Sequence, residues 1–559
     1  MCDFETTSTE NYAVEARVRV WAFCCLDIKT LVVVSRGTDI QGFIDFISGN
    51  GSAEYFFHNL KFDGSFIVSY LLENGYKYVE SKKNIQPGEF TTCINDLGAW
   101  YNITICFDRV YNKPVTASIN DSLKLLPFSA AKIAKDFELP TSKGEIDYTK
   151  FRPLGYEPTA DEWDYIQNDC VIIASALRFF VDKGLNKLTI GSNALAFYKQ
   201  LIGVKRYKYL FPILNNVIDN DIRQAYKGGF VYANPRFANK ELENVISYDV
   251  NSLYPSVMYF ERLPYGQPVY FEGEPKLTPG YPLFILFFEA AFEIKPDHIP
   301  TIQLKRNPRF CPTDYVKTSG GEILSMCMTS VDLKLFFEQY NVTDYKPIEG
   351  FYFRATEGLF KEYIDTWYEI KQNATGAKRA LAKLMLNNLY GKFATNPLKQ
   401  SKMPVMSDDG VVKYVVCDPV EGDPVYTVEG AFITAYARYK TISTAQRLYP
   451  YFCYADTDSV HLVGISPDDV EKLIDVDNSR LGAWKFEGIA ERAKFLRAKT
   501  YIKIKGRKQV VTCAGMPERV KQALNYKDFE INAVFDGKLC AKIVRGGTLL
   551  CETTFKINS

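Results

Sequence analysis

Histidine is almost missing from this chain of 559 residues, which holds only His58, His298 and His461. That scarcity argues against a histidine-rich zinc centre and against a Ser-His-Asp hydrolase. Net charge is equally scant, +1 from 67 basic and 66 acidic residues, so a highly charged partner would have to be met by local segregation of charge. No run of about 18 apolar residues suggests a membrane span, and the opening MCDFETTSTE fits no signal peptide. The 13 cysteines are odd in number and lack metal-type spacing, and the adjacent Cys24 and Cys25 cannot form an ordinary bridge. Reduced thiols in a cytoplasmic protein are the expectation. Internal repeats and low-complexity tracts are also missing.

Length alone predicts several domains. Aromatics reach 14%, with 37 Tyr and 39 Phe, which suits stacking surfaces as well as cores. Residues 1 to about 185 read as an α/β unit: VWAFCCLDI and TLVVVS predict strands, KFDGSFIVSYLLENG a helix ended by Gly75, and DEWDYIQNDCVIIASALRFFVDKG a long helix ended by Gly184. A softer region follows over about 186–225. NVISYDVNSLYPSVMYF starts as a buried strand and turns into a helix. The stretch of about 260–358 reads as an inserted, mostly β module, 359–396 as a helical hairpin, and about 398–425 as a small β insertion. FITAYARYKTISTAQRLY predicts a helix and YFCYADTDSVHLV a strand, turn and strand; two or three strand-like runs remain beyond Val520.

Chemistry concentrates in the acids. Asp249 ends the apolar strand NVISY, and Asp456 and Asp458 sit at the turn of YADTDS. If they meet, they form a cluster of three carboxylates. Two like charges about 4 Å apart repel by roughly 4 kcal/mol at an effective dielectric near 20, so such a cluster calls for a cation or a retained proton. Carboxylate oxygens without His or Cys suit Mg²⁺ or Mn²⁺, and a pair of such metals acts at phosphorus. A turn-capping role, or a sugar-nucleotide transferase, is open to a single Asp-x-Asp. A second set comprises Asp3 and Glu5, two apart in DFETT and so on one face of a strand, Asp63 in KFDG, and Asp169 in YIQND with Tyr165 one helical turn before it. That set describes metal-assisted phosphodiester hydrolysis.

The cations follow. In RALAKLMLNNLYGKFATNP, Lys383, Asn387 and Tyr390 share a helical face, Leu381, Met385 and Leu389 form an apolar stripe, and Lys371, Arg379 and Lys392 add charge nearby. Such a helix could hold a triphosphate and stack on a base, or be an ordinary amphipathic helix. RAKFLRAKTYIKIKGRK, 492–508, carries eight Lys or Arg and no acid, which suits a phosphate backbone or a solvated face. QLKRNPRF from Gln303 to Phe310 is a smaller basic patch, and the Gly-Gly of AYKGGF reads by itself as a turn.

Taken in order, DFETT, NLKFDG and YIQND resemble the exonuclease motifs of proofreading family B DNA polymerases, and DVNSLYPSVM, KLMLNNLYGKFATNP, YADTDS and KTY resemble their polymerase motifs, with AYKGGF between the halves. The set is most similar to the protein-primed branch. The resemblance implies an α/β multidomain (α+β) fold, with an RNase H-like 3′–5′ exonuclease domain at 1–185, a right-hand polymerase with palm at 186–258 and 426–515, fingers at 359–396 and thumb at 516–559, and two inserted modules at 259–358 and 397–425. The first module would dock a priming protein, and the second would enclose DNA for processive strand displacement.

The resemblance also assigns residues. Asp3, Glu5, Asp63 and Asp169 match exonuclease metal-binding acids, Tyr165 the residue orienting the attacking water, and Lys143 an assisting lysine. His58, Asn59, Phe62 and Phe66 match positions holding a single-stranded primer end. Asp249 and Asp458, with Asp456 beside them and the Val250 carbonyl, match polymerase metal ligands. Tyr254 matches the ring that excludes a ribose 2′-hydroxyl, Lys371 and Lys383 match triphosphate contacts, and Tyr390 a contact to the incoming base. Tyr226, Gly228 and Gly229 match template contacts, Lys499 and Tyr501 primer contacts, and Lys392 is counted with the DNA-binding set. Glu145 stands where an Asp is familiar and is added to the metal set, and Arg379 stands where a Lys is familiar, with a planar fork that is not equivalent.

The implied partners are template-primer DNA, dNTPs, a terminal priming protein, and single-stranded DNA in the exonuclease site. Two Mg²⁺ (or Mn²⁺) per active site, a monomer or a heterodimer with the terminal protein, and the host bacterial cytoplasm complete the expectation. A nuclease with a DNA-binding C-terminal half would be expected to lack Asp249 or Asp458, and a decayed replication scaffold would be expected to show broken acid sets; both sets stand whole.

Overall fold

Glu241–Val250 alternates apolar side chains to two sides: Ile246, Tyr248 and Val250 enter one core cluster and Val245 another. A strand buried on both faces belongs in the middle of a sheet. In the computed structural model, which describes residues 1–140, 144, 146–303 and 315–558, it is the fourth of seven strands. The order is Lys508–Cys513, Thr500–Lys505, Trp484–Arg497, Glu241–Val250, Ser459–Leu462, Phe452–Asp456 and Val231–Ala233, with every pairing antiparallel. The helices Leu253–Phe260 and Thr427–Arg447 pack together against it. The expected helical hairpin is Lys361–Asn373 and Gly376–Asn388, followed by a 3₁₀ turn, Tyr390–Ala394.

The amino-terminal unit holds two sheets: Cys2–Thr6, Val20–Leu26 and Val33–Gly37 in the first, and Ala53–Phe57, Lys113–Asp121, Trp100–Val110, Glu89–Ile94 and Lys77–Tyr78 in the second. The helix Ala160–Asp182 starts at a capping box between Thr159 and Glu162. Gly184 follows its end at φ +72, as the sequence suggested.

The region expected to be soft, 186–225, is instead helical, as Ile190–Ile202, Val204–Leu210 and Asn216–Ala225. Its apolar residues are interleaved with Lys and Tyr and interrupted by Gly203, which hides the period. Tertiary packing decides the outcome, with Tyr198 stacked on Phe360 at 4.9 Å. The 260–358 stretch forms a four-stranded sheet, in the order Leu263–Glu272, Tyr340–Thr356, Leu283–Ile294 and Leu324–Thr329, with the helix Ser330–Gln339. The small β insertion pairs Leu398–Lys399 with Val420–Glu421 and Lys402–Met406 with Val412–Val416. The chain ends in a hairpin, Val534–Val544 and Gly547–Lys556.

The tip of this hairpin docks on the amino-terminal unit. The Val18 N–H donates to the Arg545 carbonyl at 3.0 Å and Thr548 Oγ1 to Ser65 Oγ at 2.8 Å. Val544, Leu549 and Val412 share a core cluster with Phe57, Leu71 and Ile103. The β insertion joins the same corner, where the Asp96 N–H donates to the Gln400 carbonyl at 2.9 Å.

Glu429 is an anomaly of this core. It is 0% exposed, and neither carboxyl oxygen has a hydrogen-bond partner among the described residues. Burial raises its pKa well above the ordinary 4.5. The native state therefore holds this proton to higher pH than the unfolded chain does, so stability falls as pH rises above about 4.5 until the folded pKa is passed. Glu429→Met removes the orphaned carboxyl. It is expected to raise unfolding free energy at neutral pH by about 1–3 kcal/mol and to flatten the pH dependence, as measured by urea unfolding of both proteins from pH 5 to 8. An unchanged or lower midpoint at pH 7.5 would show that the carboxyl is not a burden.

Candidate active site

Strand pairing brings the acids of SYDV and YADTDS together. Asp249 lies opposite Ser459 on one neighbouring strand and Lys485 on the other. One step beyond, the Val250 N–H donates to the Asp458 carbonyl at 2.7 Å. The Asp458 N–H donates to the Asp456 carbonyl at 2.7 Å across a tight turn, with Thr457 at φ +59. Thr441 Oγ1 ties the Thr457 carbonyl to the helix behind at 2.8 Å.

Burial, then Asp458 and Glu487, push the Asp249 carboxyl up to about 7, while Lys485 and Lys383 pull it down. Burial also raises Asp458. Asp456 lies near enough to add to the raising of Asp458, and its own Oδ1 accepts from Lys499 Nζ at 2.7 Å. Among the described residues no three His, Cys, Asp or Glu side chains converge as a metal cage. The cluster is thus a pair of raised acids with a third, charge-balanced acid beside it.

Asp249 and Asp458 line a cavity of about 500 Å³ whose other wall carries Lys371, Lys383, Asn387 and Tyr390. The face read from the sequence is therefore correct, although the α-helix stops at Asn388 and Tyr390 opens the 3₁₀ turn. Tyr390 stacks on Tyr254 at 4.0 Å and 21°. Lys371 Nζ donates to Ser252 Oγ at 2.8 Å, and Ser252 sits at φ +58. Burial, then Lys383 and Arg379, lower the Lys371 pKa to about 8. Lys485, Glu487 and Ser252 line the cavity too, and sequence reasoning missed them. Only the register that sets Lys485 opposite Asp249 reveals the first two.

The Tyr226–Gly229 segment is held from behind. Arg438 Nη1 donates to the Lys227 and Gly228 carbonyls at 2.6 and 2.8 Å, and its other nitrogens grip Asp332 at 2.7–3.1 Å. Both partners are buried, and Arg438 holds the Asp332 carboxyl down against the opposing effect of burial. A side chain at Gly229 would lie 2.9 Å from Thr457 and 3.1 Å from the Tyr254 hydroxyl, whereas Gly228 has open space. Tyr501 packs on Tyr454 at 5.2 Å. The basic run spans antiparallel strands rather than one exposed face, and Lys503 is buried at 8% exposure. The Lys392 stem lies against Gly191.

The second acid set also gathers. Asp3 and Glu5 share a face of Cys2–Thr6, opposite Cys2 and Phe4 in the core. Asp63 lies in the first turn of Leu60–Glu73, where Asp121 Oδ1 accepts from the Asn59 and Leu60 N–H groups at 3.1 and 3.3 Å. Burial, then Asp3 and Glu5, raise Asp63 well above the carboxylate range. The Tyr165 and Tyr148 hydroxyls are 2.6 Å apart. Burial and that bond raise Tyr165, with Asp169 and Glu5 adding to the effect.

His58 is half-buried and Phe66 differs from expectation. His58 engages Ser122 Oγ at 3.0 Å and the Phe128 carbonyl at 2.7 Å through its two ring nitrogens. Phe66 is a core residue at 1% exposure, so its ring is not presented to a ligand; Asn59 is exposed and Phe62 half-buried. Lys143 and Glu145, and the basic patch from residue 304 onward, lie outside the described residues.

A family model described as DNA polymerase type B, organellar and viral, matches residues 45–475. The DNA polymerase of Bacillus phage M2 is 42% identical over 574 residues, covering 100% of this chain and 99% of that protein. Phi29 DNA polymerase solved with primer-template DNA and incoming nucleotide substrates superposes with a TM-score of 0.92 at 41% identity, covering 100% of this chain and 99% of that one. The same enzyme complexed with single-stranded DNA gives 0.93 at 41%, with the same coverage. With its α+β multidomain fold matching that architecture, the chain belongs to the type B DNA polymerases, as a protein-primed family B DNA polymerase closely related to that of phage phi29.

Proposed function

We propose that the cavity between Asp249, Asp458 and the Lys371–Lys383 wall is the nucleotidyl-transfer site of this DNA-directed DNA polymerase. The observation that carries the assignment is one cavity with two raised carboxyls on one wall and lysines and a stacked tyrosine pair on the other. Lys371, Lys383 and Arg379 offset the triphosphate charge. Tyr390 offers its ring to the incoming base, and Tyr254 beneath it closes the space a 2′-hydroxyl would need. The primer 3′ oxygen bonds to the α-phosphorus as the bond to the β-phosphate bridge breaks and pyrophosphate leaves.

The donor set fits hard divalent cations. Asp249, Asp458 and the Val250 carbonyl present oxygens only, and burial leaves the two acids under-compensated. Held there, Mg²⁺ or Mn²⁺ supplies Lewis acidity toward phosphoryl oxygens. Lys499, paired with Asp456, and Tyr501 would face the primer, and Tyr226, Gly228 and Gly229 the template.

The second set, Asp3, Glu5, Asp63 and Asp169 with Tyr165, is assigned to 3′–5′ proofreading, with Lys143 and Glu145 in the same role and Asn59 and Phe62 nearest the single-stranded end. The domain division follows: exonuclease 1–185, palm 186–258 and 426–515, fingers 359–396, thumb 516–559, priming-protein module 259–358 and DNA-enclosing module 397–425. The corner where the last module, the terminal hairpin and the amino-terminal unit meet supports the enclosing role. A terminal protein would supply the first hydroxyl.

The test is primer extension on a primed single-stranded circle with Mg²⁺ and dNTPs. Wild type is expected to yield products longer than one circle, and Asp458→Ala to lose about 1000-fold, the few kcal/mol of charge stabilisation removed. Full extension by that variant would remove Asp458 from the site. Asp63→Ala is expected to extend normally but to spare a single-stranded 3′ end from degradation; undiminished degradation would break the second assignment. Gly228→Ala should extend within about twofold of wild type, whereas Gly229→Ala, which pushes on Tyr254, should lose at least about tenfold, or roughly 1.4 kcal/mol. Equal effects of the two would mean that the Gly229 contact does not set the site.

A further inference from the structure

The described cysteines include two pairs that face each other across antiparallel strands, Cys2 with Cys25 and Cys540 with Cys551. Directly opposed residues in such ladders have Cα atoms about 4.5–5.5 Å apart and side chains on one face. That spacing falls inside the roughly 4.4–6.8 Å range that a disulfide spans. The two pairs differ in access. Cys2 and Cys25 are each 1% exposed, closed to any reagent in the folded protein. Cys540 is exposed and Cys551 half-buried. Both thiols of the second pair are free, in a hairpin that forms a two-stranded sheet among the described residues.

We propose that Cys540 and Cys551 form a modification site, an accessible dithiol that closes to an intrachain disulfide by exchange with a low-molecular-weight disulfide. The exposed Cys540 thiolate attacks one sulfur of the reagent, forming a mixed disulfide and releasing one thiolate. Cys551, held opposite, then attacks the Cys540 sulfur and expels the second thiolate. The protein loses two electrons and two protons, and the reagent is reduced to two thiols. The bridge lies between the docked tip, where Val544 pairs with Gly547, and the base, where Phe535 pairs with Phe555. It staples the two strands midway and restrains fraying of the hairpin from the body that its tip contacts.

The test uses the full chain with excess glutathione disulfide at neutral pH, then alkylation and non-reducing peptide mapping. The expected product has Cys540 linked to Cys551, without glutathione, and reverts with dithiothreitol. Cys93 is an internal reference: it is exposed, and the residue opposite it is Asn102, so an adduct there should remain a mixed disulfide. Cys551→Ser should stop at a single glutathione adduct on Cys540. Stable glutathione on both cysteines of the wild type, absence of reaction at Cys540, or a Cys551→Ser product free of glutathione would each overturn the proposal.

Discussion

One backbone hydrogen bond, Val250 N–H to the Asp458 carbonyl, ties together the two chain segments whose acids line the cavity. It lies just past the last rung pairing Glu241–Val250 with Ser459–Leu462. The two strands that bring the acids together are thus joined through main chain, and Asp458 adds to the raising of Asp249. Everything around the bond serves to keep it: a central strand buried on both faces, a turn with its apex at positive φ, and a helix that takes the Thr457 carbonyl.

Charge balance separates scaffold acids from site acids. Asp332 has Arg438, Asp219 has Arg223 and Glu162 has Arg152. These pairs neutralise themselves, and the Glu162 carboxyl is accordingly held down to about 2 by Tyr156, Thr159 and Arg152 against the opposing effect of burial. Asp249, Asp458 and Asp63 are pushed the other way, by burial and by neighbouring acids. Among the described residues, Asp249 and Asp458 keep raised carboxyls in spite of Lys485 and Lys383, and that is where a phosphate-bound substrate and its cations would supply positive charge.

Much of this was legible in the sequence because it is local. Strand ends, the acid doublets and the Lys383, Asn387, Tyr390 face depend on periods of two and of 3.6 residues. What was not legible depends on contacts distant in sequence. The partner of Asp456, Lys499, was not legible because it arrives 43 residues later in the sequence. Lys485 and Glu487 enter the site only through strand register. Phe66 lies on a helix whose face toward the terminal hairpin is covered by Gly547, against which a Cβ would come within 2.6 Å of the ring. Glu429 gave no signal, since a carboxyl in the first turn of a helix ordinarily faces water.

The docked tip also sets a clock on synthesis. Thr548 and Ser65 are separated by 483 residues. At about 5–20 residues per second, the ribosome needs roughly half a minute to a minute and a half to make the second after the first. Throughout that interval the flank of Leu60–Glu73 that carries Phe66 lacks the cover of Gly547 and Thr548. Gly547 and Thr548 are what cover that flank, so an early-made apolar surface waits on a turn made long after it.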